Sequence, residues 1–284
     1  MLLFSNLKKF ILEGNIYFNH IDIMHHTTNI DIIRDITNIV INNSSPNYVL
    51  DLPGRIEYNI IGWLEKERWS KNGKLHREND LPAEIEYYEI GQLKKESWYQ
   101  NGKLYRKDLP AEIEYYRNGQ LWKERWSKNG KFHRENDLPA EIEYFENGQL
   151  WKERWYKNGK FHRENDLPAE IEYFENGQTS EFSWYKNGKS HREGDLPAVI
   201  EYYRNGQHLS QIWYYYGEKH REDDLPAEIE YYQNGQIARE KWYYYDDKHR
   251  EDDLPAVIEY YENGQIEREK WYLNNMKYKV LDNY

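Results

Sequence analysis

Three columns of chemically capable side chains run through this chain at a fixed interval. Histidine stands at His76, His133, His162, His191, His220 and His249. Arginine stands at Arg77, Arg106, Arg134, Arg163, Arg192, Arg221 and Arg250, and Lys279 closes that column. Glutamate recurs at Glu57, Glu86, Glu114, Glu143, Glu172, Glu201, Glu230 and Glu259. A row of imidazoles beside glutamates such as Glu164 has the donor types of a metal ladder. Tyr105 and Tyr278 share the histidine column, however, and tyrosine replaces histidine well as a flat stacking partner and poorly as a ligand. The column is therefore expected to pack against tryptophan. Each arginine precedes a recurrent aspartate by two or three residues, as Arg163 precedes Asp166. An ion pair closing the loop or reaching the neighbouring repeat is expected; a row of donors for a phosphate- or carboxylate-bearing partner is the alternative. Glutamate catalysis needs one preorganised constellation whose carboxyls are pushed to different pKa values. Eight equivalent glutamates, mostly matched to Lys or Arg, predict a solvated charged face instead. No Gly-rich phosphate loop, nucleophile elbow or metal-binding helix motif accompanies them. No catalytic residue, metal ligand or cofactor is expected, and the chain reads as a non-enzyme.

The interval itself dictates what positions these columns. Asp-Leu-Pro recurs at Asp51, Asp80, Asp108, Asp137, Asp166, Asp195, Asp224 and Asp253, in steps of 29, 28, 29, 29, 29, 29 and 29 residues. Such self-similarity marks a solenoid or array. Within each unit a Pro-Ala-Glu-Ile-Glu-Tyr segment alternates like a strand and runs into Asn-Gly, a hairpin signal through the type I′ turn. Asn-Gly occurs 11 times. With Asn118-Gly119 as turn residues, Tyr116 faces Leu121, Tyr115 faces Trp122, Glu114 faces Lys123, Ile113 faces Glu124, Glu112 faces Arg125 and Ala111 faces Trp126. One face then carries Ile113, Tyr115, Trp122 and Trp126, and the other carries the ion pairs. Val199 and Ile212 replace one such pair together. Glu172 facing Glu181 and Arg55 facing Arg68 break the pattern, predicting a weak fifth hairpin and a distorted first one. A second Asn-Gly, such as Asn158-Gly159, reverses the chain again and sets Trp155 opposite His162. Eight of the nine prolines sit in the repeat loops, where a strand entrance tolerates them.

Composition bounds the function class. The net charge is −11, hydrophobic residues are 38% and charged residues 31%, yet 28 Tyr and 11 Trp supply large apolar surfaces. The acidic balance argues against nucleic acid and disfavours anionic lipid. There is no cysteine, hence no disulfide framework and no thiolate metal site. No signal peptide and no membrane span is read, and an intracellular, cytoplasmic setting is expected.

Residues 1–50 lack the repeat and any Trp. Leu3, Phe4, Leu7, Phe10 and Ile11, then Ile32, Ile36 and Ile39, fall at helical spacing and predict a small, partly helical cap or recruiting segment. His20, Asp22, His25 and His26 are read there as chance neighbours rather than as metal ligands.

The run Tyr115-Tyr116-Arg117-Asn118-Gly119-Gln120 and the run Trp155-Tyr156-Lys157-Asn158-Gly159-Lys160 resemble the MORN (membrane occupation and recognition nexus) repeat in its Tyr-Tyr-x-Asn-Gly variant. The longer unit is similar to arrays of phages and giant DNA viruses, which would make the setting a host cytoplasm. The resemblance covers residues 51–284 and implies antiparallel hairpins that act in protein association or tethering, with lipid contact in some members. This repeat is longer than the short unit, and Arg163 and its equivalents stand where the family has glycine.

The chain is thus expected to be all-β: an elongated, single-layer antiparallel hairpin array of eight repeats behind the cap. Roughly 16 long strands should span about 75 Å at ~4.8 Å each. The structural repeat core is expected at Trp69, Trp98, Trp126, Trp155, Trp184, Trp213, Trp242 and Trp271, with the Leu-Pro-Ala loops folded toward that face. A stripe of Tyr88, Tyr116, Phe145, Phe174, Tyr203, Tyr232 and Tyr261 is the candidate interaction surface. The expected function is a protein-interaction scaffold, with self-association among its expected modes. A peripheral lipid-associating module and an antitoxin-like inhibitor are the alternatives.

Overall fold

The computed structural model describes residue 51 and residues 53–283. The expected cap over residues 1–50, including both helical faces and the His20, Asp22, His25, His26 cluster, lies outside them.

Alternation of strand formers makes each repeat a long hairpin. In the fourth, Glu141–Tyr144 pairs antiparallel with Leu150–Arg154. The second strand then pairs with the first strand of the next repeat, placing Lys152 opposite Glu172, Glu153 opposite Ile171 and Arg154 opposite Glu170. These two pairings, repeated, join the long strands in chain order into one antiparallel sheet of 17 strands. Eight hairpins supply all but the last, Met276–Asp282, which pairs with Ile266–Leu273. Among the described residues there is no helix. The array is all-β and single-layered, as the repeat pattern predicts. After each of the first seven hairpins the chain continues into a two-stranded ribbon, such as Tyr156–Lys157 with Lys160–Phe161. In the eighth repeat the ribbon merges with the final long strands.

The two Asn-Gly turns prove to be different devices. At the ribbon tip Asn158 and Gly159 both have positive φ, 54° and 81°, and form the two-residue type I′ loop. In the long hairpin only the glycine does: Gly148 has φ 84°. Its N–H donates to Phe145 O at 2.8 Å, Phe145 N–H donates to Gln149 O, and Asn147 Oδ1 accepts from Gln149 N–H. This is a type I turn followed by a left-handed glycine, one residue longer than the expected loop. The extra residue shifts the register. Glu114 still faces Lys123, and Glu112 still faces Arg125, but Tyr115 faces Leu121, and Trp122 bulges out of the pairing. Tyr116 pairs with no residue of the second strand, because it closes the turn through Gln120 O. Trp122 therefore leaves the face assigned to it. It turns to Tyr116, with ring centroids 6.2 Å apart, and beneath Lys123, whose Nζ is 4.9 Å from its ring.

That bulge decides the fate of the charged face. The ion-pair ladder runs between a row holding Trp122 and Trp151 at the turn end and the ribbon rings, such as Phe132 and Tyr156, at the other. The Arg125 guanidinium lies 5.6 Å from the Phe132 ring. Glu141 and Glu143 are only 3% and 4% exposed, so the expected solvated face is instead largely enclosed. Arg154 reaches Glu141, Glu143 and Glu170, linking its own hairpin to the next one. Burial raises the Glu141 carboxyl pKa, but the Arg125 and Arg154 guanidinium groups outweigh it and hold it below the usual range. The predicted exceptions are present as well: Arg55 lies opposite Arg68, and Glu172 opposite Glu181. The first hairpin nonetheless keeps its pairing, since Glu57 binds both arginines.

On the opposite face the eight repeat tryptophans are buried to 8% exposure or less. Each inter-repeat alanine, from Ala83 to Ala256, is fully buried at the same end of the sheet. Ala140 O accepts from Trp126 N–H and Ala140 N–H donates to Arg154 O, so this position is a strand crossing with no room for a longer side chain.

Candidate interaction surface

The Asp-Leu-Pro loops lie on the tryptophan side, because each indole is clamped there from two directions. Trp155 Nε1 donates to Asp137 O at 3.0 Å, and the Arg163 guanidinium stacks 3.8 Å from the indole ring. Arg163 then grips the Asp137 carboxylate through Nε and Nη2, at 2.9–3.1 Å. The same clamp joins Arg106 to Asp80, Arg192 to Asp166, Arg221 to Asp195 and Arg250 to Asp224. The arginine column thus spans adjacent loops, not the aspartate two or three residues ahead. Left-handed backbone at Asn165 and Asp166 (φ 61° and 53°) turns each loop so that carbonyl and carboxylate both face the neighbour.

The loop leading into the third repeat is one residue short, Lys107-Asp108 standing where others have three residues before Leu-Pro. The consequence is local. Trp126 Nε1 is buried with no hydrogen-bond partner, and Arg134 stacks on Trp126 at 3.7 Å but makes no ion pair with Asp108.

The histidine column does not stack on tryptophan. His76 Nδ1 accepts from Asn101 N–H at 3.3 Å, capping the ribbon turn of the next repeat. His76 Nε2 lies 2.9 Å from Glu78, which Lys71 also holds at 2.9 Å. These two partners lower the exposed Glu78 carboxyl to about pKa 2. His162 with Glu164 and His191 with Glu193 repeat the arrangement. Side-chain direction explains the correction, since histidine meets tryptophan only through backbone, His162 N–H donating to Trp155 O. Among the described residues no group of three or more His, Asp or Glu could hold a metal ion. Two shallow concavities, one lined by Lys103 and Lys128 and the other by Trp98 and Arg106, are open clefts between neighbouring ribbons or loops.

The aromatic stripe lies at the turn end of the sheet, half-buried except for Tyr261, which is 40% exposed. Its hydroxyls are engaged: Tyr88 donates to Tyr115 O, Tyr116 to Tyr144 O, Tyr203 to Tyr231 O and Tyr232 to Tyr260 O, all at 2.6–2.8 Å. Phe145 and Phe174 have no hydroxyl to make that bond; Phe145 lies 5.9 Å from the Trp151 ring, and the Arg204 guanidinium lies 5.4 Å from the Phe174 ring. The sequence reading missed a second row. At the ribbon tips, Tyr215, Tyr216, Tyr244 and Tyr245 replace the usual Lys-Asn pair, and all four are exposed. Aligning repeats column by column reveals that exchange.

The geometry defines a repeat protein whose titratable columns are engaged largely in contacts within a hairpin or between adjacent hairpins. The MORN repeat variant family model matches residues 140–158 and 256–275, each running from the buried alanine to the ribbon turn, and the chain carries repeats of this MORN type. No curated protein sequence matches the chain. Among solved structures, the crystal structure of TcdB2-TccC3-TEV is similar over 78% of this chain at 12% identity, with a TM-score of 0.18. This chain spans 13% of that structure's length, and a likeness of this size carries no argument.

Proposed function

We propose that the chain is a non-enzymatic scaffold that mediates protein association or tethering through its array. One observation carries the reading. The glutamate and arginine columns are largely committed to ladder ion pairs and indole clamps, and His76, His162 and His191 accept from the ribbon turn of the next repeat, whereas aromatic rings remain half-exposed along the stripe. Aromatic residues at such half-polar positions are favoured contact residues. Residues 51–284 act as one eight-repeat module, and residues 1–50 cap it or recruit to it. The test compares partners captured by the full chain and by a Phe145→Ser/Phe174→Ser variant, folding being checked by circular dichroism. Loss of partners supports the stripe as the binding face; an unchanged partner set refutes it. Salt-resistant flotation with neutral and anionic vesicles would replace the scaffold reading with lipid association.

A further inference from the structure

The ribbon tips change character along the array. In repeats one to five the outer tip position holds Lys74, Lys103, Lys131, Lys160 and Lys189, all exposed and without an ion pair among the described residues. In repeats six and seven the same position holds Glu218 and Asp247, both exposed and without an ion pair among the described residues, Asp247 accepting a hydrogen bond from Asn275 Nδ2. The opposite tip position changes from Lys128, Lys157 and Lys186 to Tyr215 and Tyr244, which are 48% and 58% exposed. Loop acids sharpen the contrast: Asn136 and Asn165 give way to Asp223 and Asp252, and Glu222 and Glu251 lose the lysine that holds Glu135 or Glu164.

The tyrosine tips are held at a cost. Tyr216 and Tyr245 have φ 46° and 48°, a left-handed conformation that bulky residues rarely adopt. Stacking on His191 (4.2 Å) and His220 (4.3 Å) secures these two rings. It leaves Tyr215 and Tyr244 edge-on and outward, 5.0 Å and 4.8 Å from their stacked neighbours. At the boundary between the zones the contact chemistry is already visible: Lys186 Nζ sits 5.6 Å from the Tyr216 ring.

We propose that this edge is an interface between two copies of the chain, arranged antiparallel. The lysine tips of one copy meet the tyrosine-and-carboxylate tips of the other. A basic zone and an aromatic, acidic zone on one edge are self-complementary under a two-fold axis, as an isologous dimer requires. The inference gives a partner to the association module described above.

Sedimentation velocity of the full chain at low and high salt tests it. A dimer that weakens with salt is expected, and Glu218→Lys/Asp247→Lys should weaken it at least about tenfold. Lys131→Glu/Lys160→Glu should do the same, and mixing the two variants should restore a heterodimer. That rescue separates lost complementarity from misfolding. A monomer at low salt overturns the inference, as does a dimer that survives both reversals, whose contact would then be the edge strand Met276–Asp282. A monomer that binds a hexalysine peptide through Tyr215 and Tyr244 also overturns it, assigning the tips to a foreign basic segment. A monomer whose partners are still lost with Phe145→Ser/Phe174→Ser overturns this inference alone and leaves the scaffold reading standing.

Discussion

Arg163 lies flat on Trp155, 3.8 Å from the ring, while holding Asp137 from the loop before it. The indole, the guanidinium and the carboxylate form a closed clamp, and it recurs along the array. Because each repeat contacts only its neighbours, a broken clamp should loosen the array locally. Arg163→Ala is expected to destabilise by about 2 kcal/mol, combining lost stacking with a lost charge-assisted pair. Hydrogen exchange should accelerate chiefly in the fourth and fifth repeats. Uniform acceleration through all eight would contradict the nearest-neighbour picture.

The short third loop offers a gain instead of a loss. Inserting one Asn between Lys107 and Asp108 restores the 29-residue spacing. It should supply Trp126 Nε1 with a carbonyl and Arg134 with a carboxylate, stabilising the array by about 1–3 kcal/mol. Urea denaturation decides this; a destabilised insertion variant would mean the shorter loop is independently well packed.

Opposite pH signs are expected from two enclosed carboxylates. Burial raises the Glu181 pKa; Ser183 opposes that by hydrogen bonding, and Glu172, Glu170 and Glu201 add to the rise. Its contribution to stability is full below the ordinary value of 4.5 and is lost as pH rises through the higher folded value. Glu141 has the reverse sign: its arginine pairs stabilise the fold above pH 4.5, and that contribution fades as pH falls through its lowered value. Glu181→Lys places a cation between Glu172 and Glu201, as Lys152 stands between Glu143 and Glu172. It should add about 1 kcal/mol at neutral pH and remove the rising-pH loss. Thermal melts across that pH range would expose an unchanged profile.

The two turn types separate under the same substitution. Asn158 sits at φ 54°, so Asn158→Ala imposes a left-handed alanine and should cost about 1–2 kcal/mol. Asn118 is not left-handed, and Asn118→Ala removes its acceptor for Gln120 N–H and an exposed 3.3 Å donation to Glu146 without imposing backbone strain, costing about 0.5–1 kcal/mol. Equal losses in chemical denaturation would refute the assignment of the turns.

The sequence alone determined the period, the strand alternation and the ladder pairing. Glu143 with Lys152 and Val199 with Ile212 follow from counting outward from Asn-Gly, since side-chain direction in a strand has a period of two. Counting failed where backbone angles decide. Asn-Gly is compatible with two loops one residue apart in length, and the longer one ejected Trp122 and Trp151 onto the charged face. Burial of that face, the link from Arg163 back to Asp137 and the capping of ribbon turns by histidine arise between repeats. Each depends on the rise and twist from one hairpin to the next, which only the assembled sheet sets.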